Sequence, residues 1–318
     1  MPDPLPRIVI LLGPTAVGKT AVSIPLARAL DAEILSADSR QVYVGMDIGT
    51  AKPTASERGG IRHHLLDIVH PRDEFTVAEF QRLAFETIGE ILGRGKAVLV
   101  VGGTGLYIRA LIDRPGYQDQ PPLPELRREI LEEIAGRGAQ AVYDELSAID
   151  PSAAQKIHPN NIPRLVRAME IIRATGRKFS DAVEHDRATE KESPYDWILI
   201  GLNTDRERLY DRINRRVVKM IHSGWIEEVK NLLESGCCGD ERPLKGLGYR
   251  EIVQYVRGQK TLDSALELIK RDTRRFAKRQ MTFFRRLEPV HWMELDPGTE
   301  PAMIAGRIME LVSEHGHV

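Results

Sequence analysis

The chain has 318 residues, with 45 Lys+Arg against 46 Asp+Glu and a formal net charge of −1. That balance removes any global basic field, so an argument for nucleic-acid binding must rest on local clusters. A hydrophobic fraction of 42% beside 29% charged residues excludes a disordered or fibrous chain, and no apolar run approaches the roughly 20 residues that would span a bilayer.

In chain order, Arg7–Leu12 reads as a first β-strand and Lys19–Leu30 as a helix. Glu33–Ser36 is a second strand, Phe75–Leu92 a helix, and Ala97–Val101 a fully apolar strand ended by Gly102-Gly103. Continuous apolar strands separated by helices predict an α/β fold, a buried parallel sheet with helices on both faces. Proline and glycine then crowd 115–124, which reads as a crossing loop. Beyond it the periodicity is helical, with candidate helices at Pro124–Gly136, Ala139–Ile149 and Ile162–Thr175. Strand character returns at Tyr195–Leu202, followed by helices at Arg206–Ser223, Trp225–Glu234, Tyr249–Arg257 and Leu262–Leu287. Val290–Glu294 is a candidate last strand. The expected organisation is an α/β core over 1–113 and 195–318, interrupted by an all-helical insertion over 114–194. Cys237 and Cys238 are adjacent, so they form neither a disulfide framework nor a zinc site. They read as thiols of a reducing cytoplasm.

Gly13-Pro14-Thr15-Ala16-Val17-Gly18-Lys19-Thr20 is a full G-x-x-x-x-G-K-[ST] loop between a strand and a helix, the context the motif requires. Its glycines turn backbone amides onto a phosphate chain, and the helix N-terminus adds partial positive charge. Lys19 neutralises phosphate oxygens, and the Thr20 hydroxyl is a candidate Mg²⁺ ligand. The loop identifies a phosphate chain but not what the phosphate is attached to. A phosphoryl-transfer enzyme on this fold usually ends a later strand with a metal-binding Asp; here Ala97–Val101 ends in Gly102-Gly103-Thr104-Gly105. The nearest carboxylate is Asp38, just past the second strand. Parallel strands share one C-terminal edge, so Asp38, Thr104 and the phosphate loop are expected to converge there. Metal ligand, general base and helix cap all remain open for Asp38.

These residues resemble the tRNA dimethylallyltransferase (tRNA isopentenyltransferase) family. The matching stretches are Gly13–Thr20, Ser36-Ala37-Asp38-Ser39-Arg40-Gln41-Val42-Tyr43 and Gly45-Met46-Asp47-Ile48-Gly49-Thr50-Ala51-Lys52-Pro53. They continue with His63-His64-Leu65-Leu66-Asp67, Gly102–Tyr107, His158-Pro159-Asn160-Asn161 with Arg164 and Arg167, Gly248-Tyr249-Arg250, and Arg279–Arg285. Val17 departs from the small polar residue common at its position. With no C-terminal zinc-finger extension, the resemblance is to the bacterial type.

The resemblance implies a P-loop NTPase-like sheet that holds a diphosphate leaving group and transfers no phosphate. The donor implied is dimethylallyl diphosphate. The acceptor is the exocyclic N6 amine of adenosine at position 37 of tRNA, 3′ of the anticodon. Asp38 is then the base and Thr104 a second polar contact. Gly13, Thr15, Ala16, Val17, Gly18, Lys19 and Thr20 hold the donor. Arg212 and Arg216, four apart on one face of the helix that also carries Arg206, Arg208 and Arg215, are the best arginine candidates for the diphosphate. The target base must be extruded to reach such a site.

Contacts to the tRNA anticodon stem-loop are expected from Asp38, Ser39, Arg40, Gln41, Thr104, Arg127, Arg164, Arg167, Lys245, Arg250, Arg274 and Arg279. Two local basic clusters point the same way. Arg164, Arg167 and Arg173 share one helix. Lys270, Arg271, Arg274, Arg275, Lys278, Arg279, Arg285 and Arg286 follow on the last long one, with little compensating acid and with Phe276, Phe283 and Phe284 interleaved. The insertion is expected to clamp RNA, with hinges near Pro121-Pro122 and Pro194. His63 and His64 point to opposite faces of a strand, which argues against joint metal ligation. The roles of Tyr43, Asp47 and Lys52 stay unseparated. No membrane association and no obligate protein partner are expected. The alternatives are a P-loop nucleoside or small-metabolite kinase, and a non-catalytic RNA-binding protein with a vestigial phosphate loop.

Overall fold

The computed structural model describes residues 5–113, 123–188 and 193–314. Six strands form one parallel sheet: β1 (Arg7–Leu12), β2 (Ala32–Ala37), β3 (His63–His64), β4 (Ala97–Gly102), β5 (Asp196–Asn203) and β6 (His291–Glu294), in the order β3-β2-β4-β1-β5-β6. Strand β1 lies between β4 and β5, with Leu12 in register with both Gly102 and Gly201. The chain leaves β1 first toward one edge and later toward the other. The crevice at its C-terminal end is therefore the switch point where ligands bind in such sheets.

Alternation along the strands separates two cores. Ile8, Ile10, Leu12, Leu35, Val98 and Val100 face one side. There they are covered by α2 (Val77–Gly93), α3 (Gly105–Ile112), α10 (Trp225–Glu234) and α11 (Tyr249–Val256). Val9, Leu11, Ile34, Leu99, Ile198 and Ile200 face the other, under α1 (Lys19–Ala29), α9 (Arg206–His222) and α13 (Pro301–Glu314). Helix α12 (Leu262–Phe284) gives Ile269 and Phe284 to the first core and Ala277 to the second. Because every central strand is buried on both faces, the strands read as unbroken apolar runs.

Most expected elements form with ends shifted by one to three residues. The helix expected from Phe75 begins at Val77 because Thr76 caps it. The Glu79 N–H donates to Thr76 Oγ1 (3.2 Å), and Glu79 Oε2 accepts the Thr76 N–H (2.7 Å). Four further helices were not foreseen, one of them the single turn α6 (Pro151–Ala154), which the Asp150 side chain caps. α3 is hidden behind the Gly102–Gly105 run. α13 presents Ile304, Ala305, Ile308 and Val312 to the sheet. α8 (Phe179–Ala188) follows the Gly176 cap of the preceding helix.

Chain contacts divide the molecule into two units, Met1–Ile112 with Ser193–Val318, and Asp113–Glu192. The second contains α4 (Pro124–Arg137), α5 (Ala139–Ile149), α6 (Pro151–Ala154), α7 (Ile162–Thr175) and α8, packed on Ile130, Val142, Leu146, Leu165 and Met169. The loop expected at 115–124 and the hinge at Pro121-Pro122 fall almost entirely outside the described residues. No helix among the described residues is long and apolar enough to cross a membrane.

Candidate active site

The phosphate loop leaves β1 through Gly13 at φ +154°, where an added Cβ would lie 2.7 Å from the Leu202 carbonyl oxygen. Ala16 adopts a left-handed φ of 64° and Gly18 one of 115°, so successive amides curl into a concave anion nest. Gly18 caps α1, whose first N–H groups have no intrahelical partner. Val17 is fully buried in the core beneath the loop, which explains why an apolar side chain is accommodated at that position. Lys19 lies along the loop, and its Nζ donates to the carbonyls of Gly13 (2.8 Å) and Pro14 (3.0 Å).

The three C-terminal strand ends converge as expected. Thr104 follows β4, and its N–H donates to the Ala37 carbonyl at the end of β2 (3.2 Å). The Thr104 hydroxyl accepts the Ser39 N–H (2.9 Å) and donates to Ser39 Oγ (3.2 Å). Asp38 lies between these tethers, and its Oδ1 accepts the Arg40 N–H (2.9 Å) in an Asx turn. Gly102 must be glycine here, since a Cβ would come within 2.2 Å of the Ala37 carbonyl oxygen.

Electrostatics mark the crevice as an anion site. Burial lowers the Lys19 ammonium from its ordinary value to about 8; the Arg216 charge pushes the same way and Asp38 opposes it. Burial also lowers Arg216, with Arg212 adding to the effect and Asp38 and Glu57 opposing it. Arg212 is depressed by burial and by its neighbours Arg208 and Arg215, and its Nη2 lies 3.1 Å from where a Cβ on Gly18 would sit. The other arginines of α9 point elsewhere: Arg206 to Tyr210, Arg208 to the Leu295 carbonyl and Arg215 to Asp211. A guanidinium cannot shed its proton at ordinary pH, so crowded, desolvated cations favour a polyanion between them.

One contributor escaped the sequence reading. Gln280 of α12 accepts the Thr15 N–H at Oε1 (2.9 Å) and donates through Nε2 to the Gly103 carbonyl (2.8 Å). Its motif was visible, but its partners lie 265 and 177 residues away.

The most specific motif is a brace. Lys52 is buried and donates to the Tyr43 carbonyl (2.9 Å), Asp47 Oδ1 (2.5 Å) and Asp67. Glu228 accepts the N–H groups of Asp47 (2.8 Å), Ile48 (2.6 Å) and Gly49 (3.2 Å) and the Tyr249 hydroxyl (2.6 Å). His64 pairs with Glu33 (2.5 Å) and His63 with the Ile61 carbonyl (2.9 Å), so the two histidines serve separate structural contacts.

Several cations assigned to RNA have structural duties that charge alone did not reveal. Arg40 donates to the Pro243 carbonyl (3.1 Å), and Gln41 to those of Thr50 (3.3 Å) and Ala51 (3.2 Å). Arg127 and Arg167 each reach Glu170 Oε2 (2.9 Å), a carboxylate only 1% exposed. Arg250 pairs with buried Glu251, Arg274 bonds Asn214 (2.7 Å), and Lys245 approaches Asp240 (3.7 Å). Arg173 joins Glu133 and Glu145. The expectation of little compensating acid on α12 is corrected, because Glu267 engages Lys270, and Asp272 engages Arg271 and Arg275. Arg164 is exposed on α7. On α12, Arg279 sits over the ring of half-exposed Phe276 (5.8 Å), whereas Phe284 is core and Phe283 packs on Gly105.

No cluster of three or more His, Cys, Asp or Glu able to hold a metal occurs among the described residues. The exposed Thr20 hydroxyl at the start of α1 is a hard oxygen donor beside the nest. That fits Mg²⁺, which keeps most of its waters and shares phosphate oxygens, and does not fit a fully protein-caged ion.

A family model described as IPP transferase matches residues 41–287. A tRNA dimethylallyltransferase of Alkaliphilus oremlandii is 50% identical over 289 residues, covering 91% of each chain. The crystal structure of a full-length tRNA isopentenylpyrophosphate transferase from Bacillus halodurans superposes with a TM-score of 0.71 at 43% identity, covering 97% of both chains. A eukaryotic dimethylallyltransferase solved acting on tRNA gives a TM-score of 0.79 at 27% identity, covering 97% of this chain and 80% of that one.

Proposed function

Since the chain belongs to the IPP transferase family, we propose that it transfers a dimethylallyl group from dimethylallyl diphosphate to the N6 amine of adenosine 37 in tRNA, releasing diphosphate. The observation that carries this reading is the charge at the switch point. Lys19, Arg212 and Arg216 crowd a phosphate loop whose neighbouring strand β4 ends without a carboxylate, leaving Asp38 as the acid on the acceptor side.

In the proposed reaction the amine lone pair attacks the allylic carbon as its bond to the diphosphate oxygen breaks. The electron pair leaves with the diphosphate, where the loop amides, Lys19, Arg212 and Arg216 stabilise the growing charge. Asp38 accepts the amine proton. Thr104 pins the Asp38 turn and offers its hydroxyl to the adenine. Thr20 would hold Mg²⁺, which when bound would supply further neutralisation of the leaving group. Arg164 of the helical unit and Lys278, Arg279 and Phe276 of α12 contact the anticodon stem-loop through phosphates and a stacked base. The enzyme acts where tRNA is, in the cytoplasm.

The test incubates the protein with dimethylallyl diphosphate and unmodified tRNA, followed by digestion to nucleosides. N6-dimethylallyladenosine is the expected product. Phosphate transfer from ATP to a small acceptor, with no prenylated nucleoside, would replace this reading with the kinase.

A further inference from the structure

Gln280 is 7% exposed and sits on a helix whose outer face is cationic. Its amide faces inward and touches two loops of opposite function. One contact is the N–H of Thr15, inside the phosphate loop. The other is the carbonyl of Gly103, one residue before Thr104 and next to the Asp38 turn. Gly103 leaves room for nothing else, since a Cβ there would lie 2.6 Å from Gln280 Nε2 and 3.5 Å from Lys19 Nζ. The neighbouring turn of α12 is fitted as closely, with a Cβ on Gly105 meeting the Phe283 ring at 2.4 Å.

From this geometry we infer that Gln280 is a positioning residue, a two-pronged spacer that sets the separation between the loop holding the diphosphate and the loop presenting the acceptor. The inference rests on the transferase reading above. An amide is the side chain this requires, because one end must accept and the other must donate. The Gly103 bond is buried and the Thr15 bond partly so, which makes each prong directional and costly to leave unpaired. Gln280 also occupies the Thr15 N–H, one of the amides of the loop. The diphosphate is thereby left to the amides that open α1, and its place along the nest is fixed. An in-line displacement depends on that separation, and an error of about 1 Å in placement can cost about 100-fold in rate.

The experiment is single-turnover prenyl transfer at saturating donor and tRNA, with separate binding titrations of a non-hydrolysable dimethylallyl diphosphate analogue and of tRNA. Wild-type protein must first form prenylated nucleoside; if it forms none, the transferase reading fails and not the role of Gln280. Gln280→Met keeps the volume and loses both prongs. It is expected to slow the saturated rate by about 30–100-fold, with both affinities within about threefold of wild type. Gln280→Glu keeps the Thr15 prong and loses the Gly103 prong, because a carboxylate cannot donate. It is expected to slow the saturated rate to a similar degree while also weakening donor binding through charge repulsion. Were Gln280→Met too unstable to assay, Gln280→Glu would decide alone. An unchanged saturated rate in either folded variant overturns the proposal. So does a defect confined to donor affinity, which would reduce Gln280 to a prop for the phosphate loop.

Discussion

Lys19 gives the sharpest test of the phosphate site, because its ionisation lies within reach of a simple titration. In the free protein burial lowers its pKa to about 8, assisted by Arg216 and opposed by Asp38. A bound diphosphate reverses the balance by placing negative charge beside the ammonium. Donor affinity should therefore be greatest below pH 8, where the cation is present, and fall as pH rises through 8. With a pKa of about 8, Lys19 is roughly 90% protonated at pH 7 and roughly 10% at pH 9, so affinity drops about tenfold across that interval. The donor does not confuse the result, since a phosphate ester's last ionisation lies at about 6. Binding near pH 9 should take up a proton, visible by calorimetry in buffers of different ionisation enthalpy. For stability the sign is the reverse of a salt-bridged lysine. Holding Lys19 charged penalises the fold below pH 8, and the penalty fades as pH rises toward the unfolded value. Lys19→Arg should bind the donor with a flat profile over the same range. A flat profile in wild type, or a tenfold fall in Lys19→Arg, would refute the assignment of Lys19 as the titrating phosphate ligand.

Asp38→Asn should lower single-turnover transfer by about 10²–10⁴-fold with tRNA affinity within a few-fold; near-wild-type rates would make Asp38 a turn former only. Arg164→Ala should reduce the slope of log affinity for tRNA against log salt by about one unit, and an unchanged slope in the folded variant would remove Arg164 from the RNA surface. Arg167→Ala should melt at lower temperature, because it takes a cation from buried Glu170. Burial alone would raise the Glu170 carboxyl, but Arg167, the Leu123 N–H and Arg127 together hold it below the ordinary value. The stability this supplies is present above about pH 4.5 and lost as pH falls further, so wild-type and variant melting temperatures should converge in acid. Gly49→Ala should destabilise by about 1–3 kcal/mol or more in urea unfolding, because its Cβ would fall 2.1 Å from Trp225 Nε1 and 2.6 Å from the Tyr249 ring. A neutral Gly49→Ala would show that the Asp47–Lys52 loop is not clamped against α10 and α11.

The sequence by itself determined the features whose physics is local or periodic. A phosphate loop needs contiguous glycines between a strand and a helix, so Gly13–Thr20 was readable before any fold existed. Unbroken apolar strands required a parallel sheet, and a parallel sheet has one C-terminal edge. The meeting of Asp38, Thr104 and the phosphate loop could therefore be deduced, as could the shared face of Arg212 and Arg216. Tertiary structure alone decided which polar groups are consumed inside the protein. Glu228 was unremarkable in the chain and yet closes the loop at Asp47, about 180 residues away. Arg127 and Arg167 were expected to meet RNA phosphates, and only the fold shows that both also pair with buried Glu170; Gln280 passed as one letter of a motif until Thr15 and Gly103 were seen at its two ends. Periodicity reports which face of an element is dry. It carries no information on which distant group completes a hydrogen bond, because that choice is made only when packing brings the elements together.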